Sequence, residues 1–324
     1  MKKNIALLLG GFSGEYEISI KSGKTIVENI DKKKFDVYPV IIEKSSWYYA
    51  DDKSIQVDKS DFSLIIAGKK INFDVVFPMI HGTPGEDGKL LAYFDLLNIP
   101  YTGCNMFVAA TTFNKFYCKS IVSSFGVPVA KSYILNKKNY YPQDEIVEKL
   151  GIPCFVKPNK NGSSVGISKA HNIDELIVAI ENAFKEDDEV LIEEFISGRE
   201  FTCGAYKDGE IMNILPITEV VSKKEFFDYE AKYTDSFSDE ITPANVDEET
   251  TIAISAYTNL IYNMLNCTGV IRVDYIVNDK NIYFLEVNAV PGMSAISIIP
   301  KQLKEYGVEL KDFITMLIDQ ALNK

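Results

Sequence analysis

The chain lacks the features that would assign it to nucleic acid, a membrane or an oxidising compartment. Its formal net charge is −12 over 324 residues, whereas binding a nucleic-acid backbone wants a basic face, so DNA and RNA are not expected as main partners. No apolar run approaches the ~18–20 residues of a membrane span. The N-terminal run Ile5–Leu9 is too short for a signal segment and leads straight into Gly10-Gly11. Five cysteines (Cys104, Cys118, Cys154, Cys203, Cys267) are odd in number and scattered, without CxxC or metal-ligand spacing. They read as reduced thiols, and the expected location is the cytoplasm. Internal repeats and low-complexity tracts are missing too, and histidine is reduced to His81 and His171. What is present is an ordinary globular composition, 46% apolar and 25% charged, in a chain long enough for two or three domains with their own cores.

The first hundred residues alternate strand and helix. Ile5–Leu9, Val37–Ile42 and Val75–Ile80 read as buried strands, and helical periodicity runs through Glu17–Ile30 and Glu86–Leu97. This predicts a parallel, doubly wound α/β unit whose functional loops, Gly11–Glu15 and His81–Gly88, follow the carboxyl ends of strands. From about Tyr101 short strands mix with helices. Ile152–Val156 and Val165–Lys169 flank a Gly/Ser loop, Ile173–Phe184 is an amphipathic helix, and Glu189–Glu194 is a strand. Strands dominate from Phe195 onward, interrupted by a polar, aromatic-rich segment, Ser222–Phe237, expected to be a surface loop.

The stretch Asp274–Pro300, DYIVNDKNIYFLEVNAVPGMSAISIIP, carries the strongest chemical signal. Alternation along a strand points Glu286 and Asn288 to one face. With Asp274 from the preceding strand they form a set of hard oxygen donors suited to Mg²⁺, and hence to phosphoryl chemistry on ATP. Arg272 shares the face of Asp274, either as a structural ion pair or as an oxyanion stabiliser. The Pro291-Gly292 turn with Ser294, Ser297 and Ile298 offers a backbone N–H and a hydroxyl to one reacting carbonyl, or is a loop ending in a serine N-cap.

The segment KPNKNGSSVG, Lys157–Gly166, is either a flexible hairpin or a loop whose backbone N–H groups wrap phosphate oxygens; it lacks the P-loop pattern. Lys157 before it and Lys115 from another segment favour phosphate. Glu193 ends an apolar strand beside Phe195 and Ile196, a place for an adenine ring, and Glu200 is within reach of ribose hydroxyls; the plain alternative is a strand with solvated acids. His81, closing a buried strand in MIHGTPGEDG, reads as a site residue, and His171 as a surface one. Glu15 either complements a helix dipole or grips a substrate ammonium.

Taken together, GGFSGEYEIS, HGTPGEDG, FVKPNKNGSSVG, LIEEFISGREFT, FDYEAKY, IRVD and FLEVNAVPGMS resemble, in order and over nearly the whole chain, the signatures of the D-alanine–D-alanine ligases, ATP-grasp enzymes of peptidoglycan precursor synthesis. The resemblance implies an α/β ATP-grasp fold in three domains, with boundaries expected at 1–101, 102–193 and 194–324. It implies ATP and two Mg²⁺ (or Mn²⁺) as cofactors, D-alanine as substrate, and a homodimer. By motif, Glu15 would bind the ammonium of the first D-alanine, with His81 nearby. Lys115, Lys157, Ser163, Ser164 and Lys232 would contact ATP phosphates, Ser163 also holding a loop closed through Tyr233. Glu193, Phe195 and Ile196 would hold the adenine and Glu200 the ribose. Asp274, Glu286 and Asn288 would ligate the metals, Arg272 and the Gly292 amide would form an oxyanion hole, and Ser297 and Ile298 would place the second D-alanine. The chain departs from the family pattern at Asn114 (commonly Asp), Phe195 (Trp), Ala289 and Ser294 (both Thr); none removes a group the chemistry requires. The intact Lys232-Tyr233 pair resembles members that use an amine rather than a hydroxyl nucleophile. Three other readings are an ATP-grasp ligase for other substrates, a dinucleotide-binding protein using Gly10-Gly11, and an inactive ATP-binding scaffold. The missing GxGxxG spacing counts against the second, and the filled metal and phosphate positions against the third.

Overall fold

The computed structural model describes residues 2–139, 141–162, 165–222, 238–279 and 281–323. Ser163, Ser164, Lys232, Tyr233 and nearly all of the 222–237 loop lie outside the described residues.

The N-terminal part contains β1 (Lys3–Gly10), α1 (Tyr16–Asn29), β2 (Phe35–Ile42), β3 (Trp47–Tyr49), β4 (Asp52–Gln56), a small hairpin β5 (Leu64–Ile66) and β6 (Lys69–Ile71), β7 (Val75–Pro78) and α2 (Lys89–Leu97). The main sheet runs β4-β3-β2-β1-β7. Its centre, β2-β1-β7, is parallel as the apolar runs predict, while β3 and β4 add an antiparallel extension. That extension escaped the sequence reading because three to five residues are too few for periodicity to register. β2 and β7 lie on opposite sides of β1, so the loops after β1 and β7 meet at the point where the strand order reverses. Gly11 permits that meeting: its φ is +101°, and a Cβ would stand 2.6 Å from Ile80 Cγ2.

The expected helix Glu86–Leu97 begins only at Lys89, after Gly88 at φ +80°. Pro84, Gly85 and Gly88 keep the preceding residues in turns, which leaves Glu86 in a loop.

The middle part comprises α3 (Met106–Phe113), α4 (Lys115–Ser124), β8 (Ser132–Asn136), α5 (Gln143–Leu150), β9 (Cys154–Pro158), β10 (Ser168–Ala170), α6 (Ile173–Glu186) and β11 (Glu189–Glu194). The sheet β10-β9-β11-β8 is antiparallel. Leu176, Ile180 and Ala183 of α6 pack on it with Val156, Val190 and Ile192. The strand expected at Val165–Lys169 forms only from Ser168.

The last part holds β12 (Arg199–Asp208), β13 (Ile211–Ile214), β14 (Thr218–Ser222), β15 (Ser238–Ile241), α7 (Glu248–Met264), β16 (Val270–Val277), β17 (Ile282–Asn288), α8 (Ile298–Tyr306) and α9 (Leu310–Leu322). Its antiparallel sheet runs β15-β14-β12-β16-β17, with β13 also on β12. Ile271, Val273 and Tyr275 turn into a core shared with α7 through Ile254 and Ile261. The final helix turns back on the N-terminal sheet, where Phe313, Ile314, Leu317 and Ile318 join Ile5, Leu7, Val75 and Phe77 in one core. No described helix is long and apolar enough to cross a membrane.

Candidate active site

The loops after β1 and β7 build one end of a cleft of about 300 Å³, lined by Glu15, His81, Glu86, Lys115, Arg272, Glu286, Asn288, Gly292, Ser297 and Ile298, among others. Ser13 Oγ donates to the His81 carbonyl at 2.8 Å and ties the two loops together. Glu15 occupies the N-cap of α1, yet its carboxylate makes no capping bond. The carboxylate instead packs against Gly162 of the Gly/Ser loop, where a Cβ would come within 2.7 Å of Glu15 Oε2. His81 is buried, and Nδ1 lies 3.0 Å from the Val290 carbonyl. A carbonyl can only accept, so Nδ1 carries the proton and Nε2 is left as an acceptor; among the described residues it has no partner. Burial lowers the His81 pKa and keeps the ring neutral.

Glu86, which the sequence reading did not single out, turns its carboxylate into the same end and accepts from the Gly82 N–H at 2.6 Å. Burial, then the charge of Glu15, pushes its pKa up to about 8. The ordinary value is 4.5, so between the two the folded chain holds a proton that the unfolded chain has lost. Stability therefore falls as pH rises through that window. Glu86→Gln removes the titration, and its melting temperature is expected to gain on the wild type from about pH 5 to about pH 8 and then level off. Parallel melting curves over that range would return Glu86 to the status of an ordinary carboxylate.

The other wall is the β16–β17 pair. Their register sets Arg272 opposite Asn288 and Asp274 opposite Glu286, so the alternation read in each strand becomes a four-residue cluster on one face. A bulge follows at Asp274/Tyr275, where the register passes from Glu286 to Phe284. It lets Phe284 turn into the core while Glu286 faces the cleft. Arg272 grips Asp274 through both Nε and Nη2 at 2.9 Å. Asp274 also accepts from Thr202 Oγ1 at 2.6 Å and Asn288 Nδ2 at 3.0 Å. Burial opposes the charge of Arg272, but Asp274 outweighs it and raises the guanidinium pKa.

Glu286 receives Lys115 Nζ at 2.9 Å, and the same ammonium donates to the Asn161 carbonyl at 3.0 Å. Burial pulls the Lys115 pKa down, and the Glu286 carboxylate more than reverses that. Among the described residues no group of three His, Cys, Asp or Glu side chains gathers for a metal. The fitting set is two carboxylates plus the Asn288 amide, hard oxygen donors on one face, with Arg272 and Lys115 paired to the carboxylates.

Lys115 starts α4 because Asn114 caps it, its Oδ1 accepting from the Tyr117 N–H at 3.0 Å. An aspartate there would cap equally well, so this departure from the family pattern leaves the lysine in place. One turn on, Lys119 is buried against Glu193 Oε1, and Lys157 reaches Glu193 Oε2. Burial would raise the Glu193 pKa, but the two lysines hold it at about 2. The expected adenine acceptor therefore has both side-chain oxygens engaged by lysines. Phe195 lies beside Phe155, with Lys169 Nζ 4.1 Å above its ring. Glu200 sits two residues before Thr202 on β12, on the face that looks toward Asp274.

The turn before α8 completes the lining, adjoining the first end through the His81–Val290 contact and the Met293 N–H that donates to Ser22 Oγ at 3.2 Å. Ser297 holds the N-cap position without a capping bond; its Oγ lies 2.7 Å from Ser294 Oγ and accepts from the Ser294 N–H at 3.1 Å. A Cβ on Gly292 would stand 2.9 Å from Ser297 Oγ, so a larger residue there would make the serine hydroxyl shift.

The structure thus joins Glu15, His81, Lys115, Arg272, Asp274, Glu286, Asn288, Gly292, Ser297 and Ile298 around one cleft and its edge. Lys157 and Glu193 lie on the paired strands β9 and β11 of the neighbouring sheet, and Phe195 and Ile196 follow the end of β11. The sequence reading missed Lys119, although its four-residue spacing from Lys115 places both on one helix face. It missed the inward turn of Glu86 because it assigned that residue to a helix.

Residues 4–104 match the family described as the D-ala D-ala ligase N-terminus, and residues 121–319 match the D-ala D-ala ligase C-terminus. A D-alanine–D-alanine ligase of Phocaeicola vulgatus is 45% identical over 98% of this chain and 99% of its own. Among solved structures, the D-alanyl-alanine synthetase A of Vibrio cholerae superposes with a TM-score of 0.91 at 30% identity, covering 100% of this chain and 99% of that one. The D-alanine–D-alanine ligase of Bacillus anthracis complexed with ATP gives 0.81 at 32% identity, over 100% and 98%.

Proposed function

Because the chain belongs to the D-alanine–D-alanine ligase family, we propose that it joins two D-alanines into D-alanyl-D-alanine for peptidoglycan precursor synthesis, cleaving ATP to ADP and phosphate. One observation carries this reading. A single cleft has an acidic end at Glu15, suited to an ammonium group, and a wall of Lys115, Arg272, Glu286 and Asn288 suited to phosphate, metal and a developing oxyanion.

A carboxylate is a poor electrophile, and phosphorylation supplies it with a leaving group. A carboxylate oxygen of the first D-alanine attacks the γ-phosphorus of ATP, and the bond from that phosphorus to the ADP oxygen breaks. The amine of the second D-alanine, having lost a proton, then attacks the acyl phosphate carbonyl. The C–N bond forms, the nitrogen gives up a second proton to solvent, and the tetrahedral intermediate collapses to the amide as phosphate leaves with the electrons of the C–O bond.

Glu15 holds the first ammonium, and neutral His81 presents Nε2 as an acceptor beside it. Lys115 and Lys157 hold the phosphates, with Ser163, Ser164 and Lys232 assigned there by sequence motif. Phe195 and Ile196 flank the adenine, and Glu200 faces the ribose. Asp274, Glu286 and Asn288 would hold two Mg²⁺ or Mn²⁺, which neutralise charge on the transferring phosphoryl group. Arg272 and the Gly292 amide stabilise the oxyanion, while Ser297 and Ile298 position the second substrate. The EAKY segment with Tyr233 favours an amine nucleophile.

Three units divided near residues 101 and 193, a cytoplasmic location and a homodimer without nucleic-acid or membrane partners complete the reading; light scattering checks the dimer.

The first test is phosphate release from ATP and Mg²⁺ with D-alanine, against L-alanine and D-lactate, with the product identified by mass. D-alanine-dependent release with a dipeptide product is expected. Release that ignores D-alanine would send the function to another ATP-grasp substrate. In the same assay Glu15→Gln should raise the KM of the first D-alanine by roughly tenfold or more, the cost of losing a charge-assisted partner. An unchanged KM would leave Glu15 as a helix-terminal charge only.

A further inference from the structure

Lys119 is 3% exposed, and its ammonium sits in the interior against Glu193 Oε1. Glu193 is equally buried, and its second oxygen binds Lys157. Lys157 and Glu193 are diagonal neighbours across the β9–β11 pair, and Lys157 stands at the mouth of the Gly/Ser loop with a side chain 14% exposed. One interior carboxylate is thus shared by an inner cation and an outer one. The two bonds differ in consequence. Removing the only cation from a buried carboxylate leaves an uncompensated charge, which is strongly unfavourable. Removing the outer of two cations leaves the carboxylate neutralised, so the outer lysine is free to move to a competing anion.

We propose that Lys119 is a positioning residue of the nucleotide site, holding the charge of Glu193 so that Lys157 can transfer to the nucleotide phosphates. This rests on the assignment of Lys157 to ATP made above. Burial disfavours the charged form of Lys119, and the carboxylate of Glu193 opposes that, as expected for an ammonium kept inside for its partner. A purely structural pair would have needed one lysine. The second, at the loop, is the one with somewhere to go.

The test measures Mg·ADP and D-alanine binding by calorimetry for wild type, Lys119→Met, Lys119→Arg, Glu193→Gln and the double variant Lys119→Met/Glu193→Gln. In Lys119→Met the Glu193 charge keeps, among the described residues, Lys157 as its bonded cation, so nucleotide affinity is expected to fall roughly tenfold or more with D-alanine affinity unchanged. Lys119→Arg keeps the charge and recovers most of the affinity. The double variant removes the charge that holds Lys157 and is expected to lose no more than about threefold in nucleotide affinity beyond Glu193→Gln alone, because Lys119 matters only while Glu193 is charged.

Wild-type nucleotide affinity in Lys119→Met would overturn the proposal, as would an equal loss of D-alanine binding. If Lys119→Met does not fold, the double variant decides against Glu193→Gln alone: equal nucleotide affinity supports the proposal, and a further tenfold loss in the double variant overturns it. Wild-type protein that binds no adenine nucleotide would remove the ATP-site assignment and this proposal with it. A nucleotide-binding protein indifferent to Lys119 would remove the proposal alone.

Discussion

Arg272→Ala is expected to lower kcat for D-alanine-dependent phosphate release by roughly two to three orders of magnitude, the usual cost of removing one oxyanion donor. The geometry gives this variant two effects that must be separated. Arg272 lines the cleft, and it also clamps Asp274 through two parallel bonds. Its loss takes away a transition-state donor and also leaves a part-buried carboxylate without its bidentate partner. Arg272→Lys keeps a positive charge without the planar fork. If the guanidinium serves the oxyanion, lysine should recover only part of kcat, while melting temperature and the KM for ATP stay near wild type. If the arginine only steadies Asp274, both variants should lose metal and nucleotide affinity in step with activity. A fall in kcat below tenfold for the alanine variant would remove Arg272 from the oxyanion hole.

Glu286→Gln is expected to cost on the order of a thousandfold in the same reaction, because phosphoryl transfer depends almost wholly on positioning and charge neutralisation. The substitution keeps size and hydrogen-bonding capacity while removing one charge. It also deprives Lys115 of its carboxylate partner at 2.9 Å. The Mg²⁺ dependence separates the two roles. Loss of a metal ligand raises the Mg²⁺ concentration needed for half-maximal rate, and excess Mg²⁺ restores part of the activity. Loss of the Lys115 partner alone leaves that concentration unchanged and acts on the KM for ATP. Activity within tenfold of wild type at unchanged Mg²⁺ dependence would show that Glu286 neither holds metal nor orients the lysine.

Much of this site was legible in the sequence because its signals are local. A strand alternates whatever surrounds it, so Arg272 with Asp274, and Glu286 with Asn288, had to share faces once β16 and β17 were recognised. The loops after β1 and β7 follow buried apolar runs, and their glycines announce sharp turns. Asn114 ahead of Lys115 has the chemistry of a helix cap, and it serves as one. The order of the motifs was enough to identify the family. Local signals also misled where they were weak. Apolar spacing drew a helix back to Glu86, although Pro84, Gly85 and Gly88 hold that residue in a loop.

By itself, then, the sequence determined which residues are chemically competent and which of them share a strand or a helix face, since backbone periods of 2 and 3.6 are properties of the chain alone. Only the tertiary structure decided the rest. The register of β16 on β17 set Asp274 opposite Glu286, and the bulge beside it turned Phe284 into the core. Packing brought Lys119 to Glu193, 74 residues away, and folded the last helix onto the first sheet. The ion pair and the docking of the last helix join segments that no single window of the sequence contains. The register and bulge of the adjacent strands β16 and β17 are set by which side chains pack into the core rather than by either strand's own pattern.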